Sequence, residues 1–171
     1  IAMVVGLVLG FVMMLFTKFE DDPETSEVSK ANSLVKQEVV ISPLKGEVRP
    51  LSEVKDEAFS KGALGKGIAI EPIEGKVIAP VDGVLTTFFP TCHALGITSD
   101  NGAEILIHVG MDTVQLEGKH FTPKAKQGDT VKAGDVLLEF DIKAIKDEGY
   151  SVITPVIITN SDNYLDVIET D

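Results

Sequence analysis

Two histidines are the side chains of this 171-residue chain best suited to chemistry: His93 in PTCHALGI and His108 in EILIHVGMDTVQL. A neutral imidazole is a nucleophile, a base and a ligand near pH 7. Two of them facing each other suit a metal ion or an anionic group held between two nitrogens. His108 sits in a strand pattern. Ile105, Ile107 and Val109 alternate onto one face, and Leu106 and His108 onto the other. His93, Leu95 and Ile97 share a face of a neighbouring strand, joined to the first through a turn at Ser99–Gly102. Strands paired across such a turn bring side chains within a few ångströms of one another. Thr91, two residues before His93 and on the same face of a regular strand, is either a hydroxyl that fixes the His93 tautomer or a solvent-facing strand threonine. Gly110 follows His108 where backbone can bend or approach closely. Asp112 is a turn-capping residue or an acid at the rim of the site. His120, in EGKHFTP, reads as an exposed loop residue.

The elements that must position these residues are strands. From Glu38 onward short apolar runs alternate with Gly, Pro, Asp and Asn: EVVISPL, KGEVRPL, GIAIEP, GKVIAPVDGVLTTFF, HALGITSDNG, DTVKAGDVLLEFD, VITPVIITN. That spacing predicts an all-β antiparallel sandwich or barrel. Val81–Val84 and Ser99–Gly102 look like tight hairpin turns. Asp56–Lys61 and Ile142–Glu148 are candidate short helices. Ile41–Val48 and Ile78–Val84 resemble each other: each runs isoleucine, any residue, proline, apolar residue, any residue, glycine, with a valine following. The sequence therefore predicts an internally duplicated motif.

Composition bounds the function. The net charge of −12 argues against nucleic acid or an anionic membrane surface as a partner and favours a basic patch on a protein. Cys92 is the only cysteine, so neither a disulfide framework nor a cysteine zinc site can form within the chain. Residues 1–17 open on the uncharged run IAMVVGLVLGFVMMLF and read as the C-terminal part of a transmembrane helix. Residues 18–37 are polar and charged and read as a flexible linker. Residues 38–171 then form the domain proper.

The segments IAPVDGVL, TCHALGI, ILIHVGMDTVQLEG, GDTVKAGDVLLEFD and TPVIITN resemble the enzyme IIA domain, glucose family, of the bacterial phosphoenolpyruvate-dependent sugar phosphotransferase system. The resemblance runs from about Val39 to Asp162. It implies a compact antiparallel sandwich with both histidines in a shallow depression. It implies that His108 is phosphorylated, that His93 stabilises the phosphoryl group, that Thr91 orients His93, and that the Gly110 carbonyl contacts His108. Phe59, Phe89, Leu106 and Val114 would form the apolar surround, and Asp56 and Asp112 the acids that meet the donor protein. The donor would be HPr and the acceptor a IIB domain. No cofactor is required, although zinc could bind the histidine pair adventitiously. The apolar start resembles the end of a sugar-transporting IIC domain. That implies a permease of the β-glucoside type, with the sucrose and trehalose types as alternatives, at the cell membrane, with the IIA domain on the cytoplasmic side. The family also implies a strand beyond Asn160–Ile168, whereas this sequence ends at Asp171.

Two other families share parts of the pattern. KQGDTVKAGDVLLEFD is like the strand-and-turn of biotinyl- and lipoyl-carrier modules, but their modified lysine needs a tight hairpin, and Asp141-Ile142-Lys143-Ala144 carries an extra residue. A zinc peptidase of related architecture needs three ligands, and no acid follows His93 at the required spacing. A pure binding module leaves the paired histidines unexplained.

Overall fold

The computed structural model describes residues 37–170. The apolar run 1–17, the linker up to Lys36, and Asp171 lie outside the described residues. Among the described residues no helix is long and apolar enough to cross a membrane.

Among the described residues ten strands form two antiparallel sheets. They are β1 (Gly46–Pro50), β2 (Lys66–Pro72), β3 (Lys76–Ile78), β4 (Gly83–Phe88), β5 (Ala94–Ser99), β6 (Glu104–His108), β7 (Phe121–Pro123), β8 (Thr130–Val131), β9 (Val136–Phe140) and β10 (Thr154–Ile158). Seven of them make one sheet in the order β1-β2-β10-β6-β5-β4-β8, and β3-β9-β7 make the other. Two short helices, α1 (Glu57–Ser60) and α2 (Ile142–Asp147), fall within the predicted segments. Asp56 and Asp141 cap them, each accepting bonds from backbone N–H groups of the first turn.

The main core is aliphatic. Ile70, Leu85, Leu95, Ile97, Ile105 and Ile107 of the large sheet cluster with Val77, Leu138 and Phe140 of the small one. Burying each such side chain contributes about 1.5–3 kcal/mol. The predicted alternation in β6 holds: Ile105, Ile107 and Val109 are buried, while Leu106 and His108 stay half-buried on the other face.

The duplicated motif is visible as a reciprocal pair of hydrogen bonds. Ile41 N–H donates to the Pro80 carbonyl, and Ile78 N–H donates to the Pro43 carbonyl. Position one of each copy thus bonds position three of the other. Gly46 and Gly83, the two motif glycines, open β1 and β4, and a Cβ at either would strike a facing carbonyl, that of Glu71 or Thr98. Lys45 and Asp82, just before them, each accept a backbone bond from the residue beyond the paired strand, Ile73 and Asp100. The two copies use the same device to start an outer strand pair.

Three expectations need correction. Val81–Val84 is not a hairpin: β3 and β4 belong to different sheets, and Gly83 serves close backbone approach rather than a turn. GKVIAPVDGVLTTFF therefore splits between sheets instead of forming one hairpin. The run Glu38–Leu44 joins no ladder, because Pro43 lacks an N–H and only isolated bonds tie it to the Pro80 segment. The turn at Ser99–Gly102 does close a β5–β6 hairpin, with Gly102 at φ +94° and its N–H on the Ser99 carbonyl at 3.0 Å.

Candidate functional site

His108 is the last residue of β6, and its neighbour across the ladder is Ala94, not His93. His93 stands one residue before β5. Regular alternation would send it to the core face with Leu95 and Ile97, as the spacing suggests. The chain instead turns in the five-residue connection from β4, where Cys92 takes φ +56° and its N–H bonds the Phe89 carbonyl at 2.8 Å. The His93 ring therefore leaves the aliphatic row and meets His108, with centroids 5.0 Å apart and planes at 81°.

Each imidazole is held at Nδ1. His108 Nδ1 lies 2.8 Å from the Gly110 carbonyl. A carbonyl only accepts, so Nδ1 carries the proton, and in the neutral ring Nε2 keeps its lone pair. His93 Nδ1 lies 2.6 Å from the Thr91 hydroxyl. The hydroxyl can donate to a bare Nδ1, which leaves the proton of the neutral ring on Nε2 as a donor. One ring then presents a nucleophilic nitrogen and the other an N–H, side by side.

The surroundings keep both rings neutral. Burial, and after it the neighbouring His108, together push His93 down to about 4. Burial also lowers His108, against the opposing pull of the Gly110 carbonyl and of the Asp56 and Asp112 carboxylates. Phe59 packs edge-on against His108 with centroids 5.2 Å apart, and Phe89 against His93 at 5.3 Å. Phe59 is buried in a small separate cluster with Val54, Ala69 and Ile157, to which Leu106 and Met111 add their sides. Phe89 and Val114 are each 43% exposed and stand on the rim.

Asp56 and Asp112 both lie near enough to act on His108. Asp56 is also the cap of α1, the helix that carries Phe59. Asp112 has φ +59° and makes no side-chain cap to the 3-10 helix Thr113–Leu116, so the turn-capping alternative fails and its exposed carboxylate faces outward. His120 is not a simple exposed residue. It is half-buried with φ +70°, and its Nε2 lies 2.7 Å from Glu148 at the end of α2. Lys143 lies inside α2 rather than at a hairpin tip, which removes the carrier-module reading. Among the described residues no three His, Cys, Asp or Glu side chains gather to hold a metal ion. The pair alone offers two nitrogens, short of the three protein ligands of a catalytic zinc site.

Some features escape a one-dimensional reading. Thr113 and Ser151, which brace the Gly110 loop, carry no motif. Nor does the groove of about 280 Å³ beside Phe89 and Leu106, lined by Thr86, Thr98, Glu104 and Thr159 on the outer face of β4, β5 and β6.

Known proteins carry the same arrangement of sequence and fold. The family described as phosphoenolpyruvate-dependent sugar phosphotransferase system, EIIA 1, matches residues 38–164. A glucose-specific EIIA component of that system from Oceanobacillus iheyensis is 48% identical over 132 residues, covering 77% of this chain and 80% of its own length. A β-glucoside-specific EIIBCA component from Bacillus subtilis is 53% identical over 164 residues, covering 96% of this chain. The chain spans 27% of that relative's length. The solved glucose permease IIA of Mycoplasma capricolum superposes with a TM-score of 0.73 at 41% identity, over 78% of this chain and 88% of its own. The chain belongs to the EIIA 1 family of the sugar phosphotransferase system, whose members are phosphotransferase components.

Proposed function

We propose that this chain is the phosphocarrier part of a sugar permease, and that it takes a phosphoryl group on Nε2 of His108. The observation that carries this reading is the Nδ1–H of His108 on the Gly110 carbonyl at 2.8 Å, which leaves Nε2 as the nucleophile.

In the proposed step the Nε2 lone pair attacks the phosphorus of a phosphohistidine on HPr. The new N–P bond forms as the donor's N–P bond breaks, and that electron pair leaves with the donor imidazole. The proton on Nδ1 stays, and the Gly110 carbonyl stabilises the positive charge that grows on the ring. His93 donates its Nε2 proton to a phosphoryl oxygen, with Thr91 holding the tautomer that makes this possible. Such transfer needs in-line positioning and charge stabilisation rather than covalent help. Phe59, Phe89, Leu106 and Val114 exclude water from a labile phosphoramidate. Asp56 and Asp112 meet the basic surface of the donor. The group then passes to a IIB domain. The names of the EIIBCA relatives support a IIB and a IIC domain in the same polypeptide and a β-glucoside as the transported sugar. In this reading the uncharged run of residues 1–17 is the end of a membrane helix, and the polar residues 18–37 are a linker.

The test is phosphate uptake from phosphoenolpyruvate through enzyme I and HPr. Wild type should gain an acid-labile phosphate. His108→Gln should gain none. His93→Gln should accept phosphate but pass it on poorly. Normal labelling of His108→Gln would refute the assignment.

A further inference from the structure

We propose that Thr113 is a positioning residue for phosphoryl transfer, acting through the Val109–Gly110 peptide to fix the His108 tautomer; this rests on the phosphocarrier reading above. Thr113 is 0% exposed, although it follows the exposed Asp112 and precedes the exposed Val114. Its hydroxyl donates to the Val109 carbonyl at 2.5 Å. The N–H of Val109 donates to the His93 carbonyl at 2.7 Å. The next carbonyl, that of Gly110, receives His108 Nδ1–H at 2.8 Å. Residue 109 is therefore clamped at its amide by one histidine's backbone and at its carbonyl by Thr113. The carbonyl that selects the tautomer of the other histidine comes one peptide later.

Only a few torsions separate the Thr113 hydroxyl from the Gly110 carbonyl, and the methyl group of Thr113 restrains those as well. A Cβ on Gly110 would lie 2.6 Å from that methyl carbon and 2.5 Å from the Ser151 carbonyl. The same Ser151 carbonyl accepts Met111 N–H at 3.0 Å. The Gly110 peptide, at φ +75°, is thus held between Thr113 on one side and the Ser151 backbone on the other. The two branches of Thr113 have separate tasks: the hydroxyl anchors the carbonyl before Gly110, and the methyl fills the space that Gly110 leaves. Valine keeps the second and leaves a buried carbonyl without its donor; serine keeps the first.

The experiment is histidine ring nitrogen NMR on the unphosphorylated chain together with phosphate uptake from phospho-HPr. It compares wild type, Thr113→Val and Thr113→Ser. In wild type, His108 should show a single tautomer protonated at Nδ1. Thr113→Val should mix the tautomers of His108, leave those of His93 unchanged, and slow uptake on the order of ten-fold. Thr113→Ser should restore both the tautomer and most of the rate. A Val variant with wild-type tautomer and rate would overturn the proposal. Slow uptake with an unchanged tautomer would also overturn it, since that is what a general structural defect would give. Should the Val variant fail to fold, the wild-type hydroxyl proton decides: it should be visible and protected from exchange, and rapid exchange would refute the bond. If wild type takes up no phosphate, the phosphocarrier reading falls, while the NMR arm still judges Thr113.

Discussion

Substituting Gly110 with alanine tests the geometry on which the chemistry depends. Gly110 has φ +75°, where a Cβ costs about 1–2 kcal/mol by local sterics. The new Cβ would also stand 2.5 Å from the Ser151 carbonyl oxygen and 2.6 Å from the Thr113 methyl. One of these neighbours is backbone and the other is fully buried, so neither can swing aside. Crowding of this kind in a packed region costs about 1–3 kcal/mol. The expected loss is about 2–5 kcal/mol, within the ~5–15 kcal/mol stability of an ordinary domain, so the protein should still fold. Relief comes by rotating the Gly110 peptide, which carries its carbonyl off His108 Nδ1. Urea unfolding should therefore show a clearly lowered midpoint, and phosphate uptake by the folded fraction should slow as well. A variant that loses less than about 0.5 kcal/mol would contradict the packing. A destabilised variant with wild-type uptake would contradict the role given to the carbonyl.

Acid should destabilise the fold. His93 is held at about 4 when folded against 6.5 in the unfolded chain, so the unfolded state binds more protons between those values. The contribution is fully present above pH 6.5 and is lost as pH falls toward 4. It amounts to at most about 3 kcal/mol at roughly 1.36 kcal/mol per pH unit. Urea titrations across that range should show the slope, and His93→Gln should remove much of it. Phe59→Ala should cost on the order of 3 kcal/mol and shorten the lifetime of the phosphorylated state, read by release of labelled phosphate, while Phe59→Leu should do much less. His120→Ala breaks only a partly exposed pair with Glu148; it should leave phosphate uptake unchanged and cost no more than about 1 kcal/mol.

Much of this was legible in one dimension because strand alternation has a period of two. The burial of Ile105, Ile107 and Val109 and the outward face of Leu106 and His108 follow from it directly. The Ser99–Gly102 turn fixed the pairing of β5 with β6, and Asp56 and Asp141 marked the helix starts by cap chemistry. The same rule misplaces His93, because a single left-handed residue, Cys92, takes it out of the ladder, and nothing in the residue type of cysteine announces φ +56°. Gly83 misled for a related reason: glycine serves turns and close backbone contacts alike, and only the facing strand tells them apart. Glu38–Leu44 has strand composition, but Pro43 removes a ladder donor and the partner segment contains Pro80. The duplication was visible as two short similar stretches. Their meaning, a reciprocal pair of bonds between Ile41 and Pro80 and between Ile78 and Pro43, appears only in three dimensions. Thr113 was hidden because its role depends on which carbonyl its hydroxyl reaches.

In the proposed transfer one nitrogen, Nε2 of His108, carries the phosphoryl group. The most direct measurement is nitrogen and phosphorus NMR of the chain labelled in its histidine rings and charged from phospho-HPr. Phosphorus should couple to Nε2 of His108, with Nδ1 of the same ring still protonated on the Gly110 carbonyl. Phosphorus on Nδ1 of His108, or on either nitrogen of His93, would contradict it.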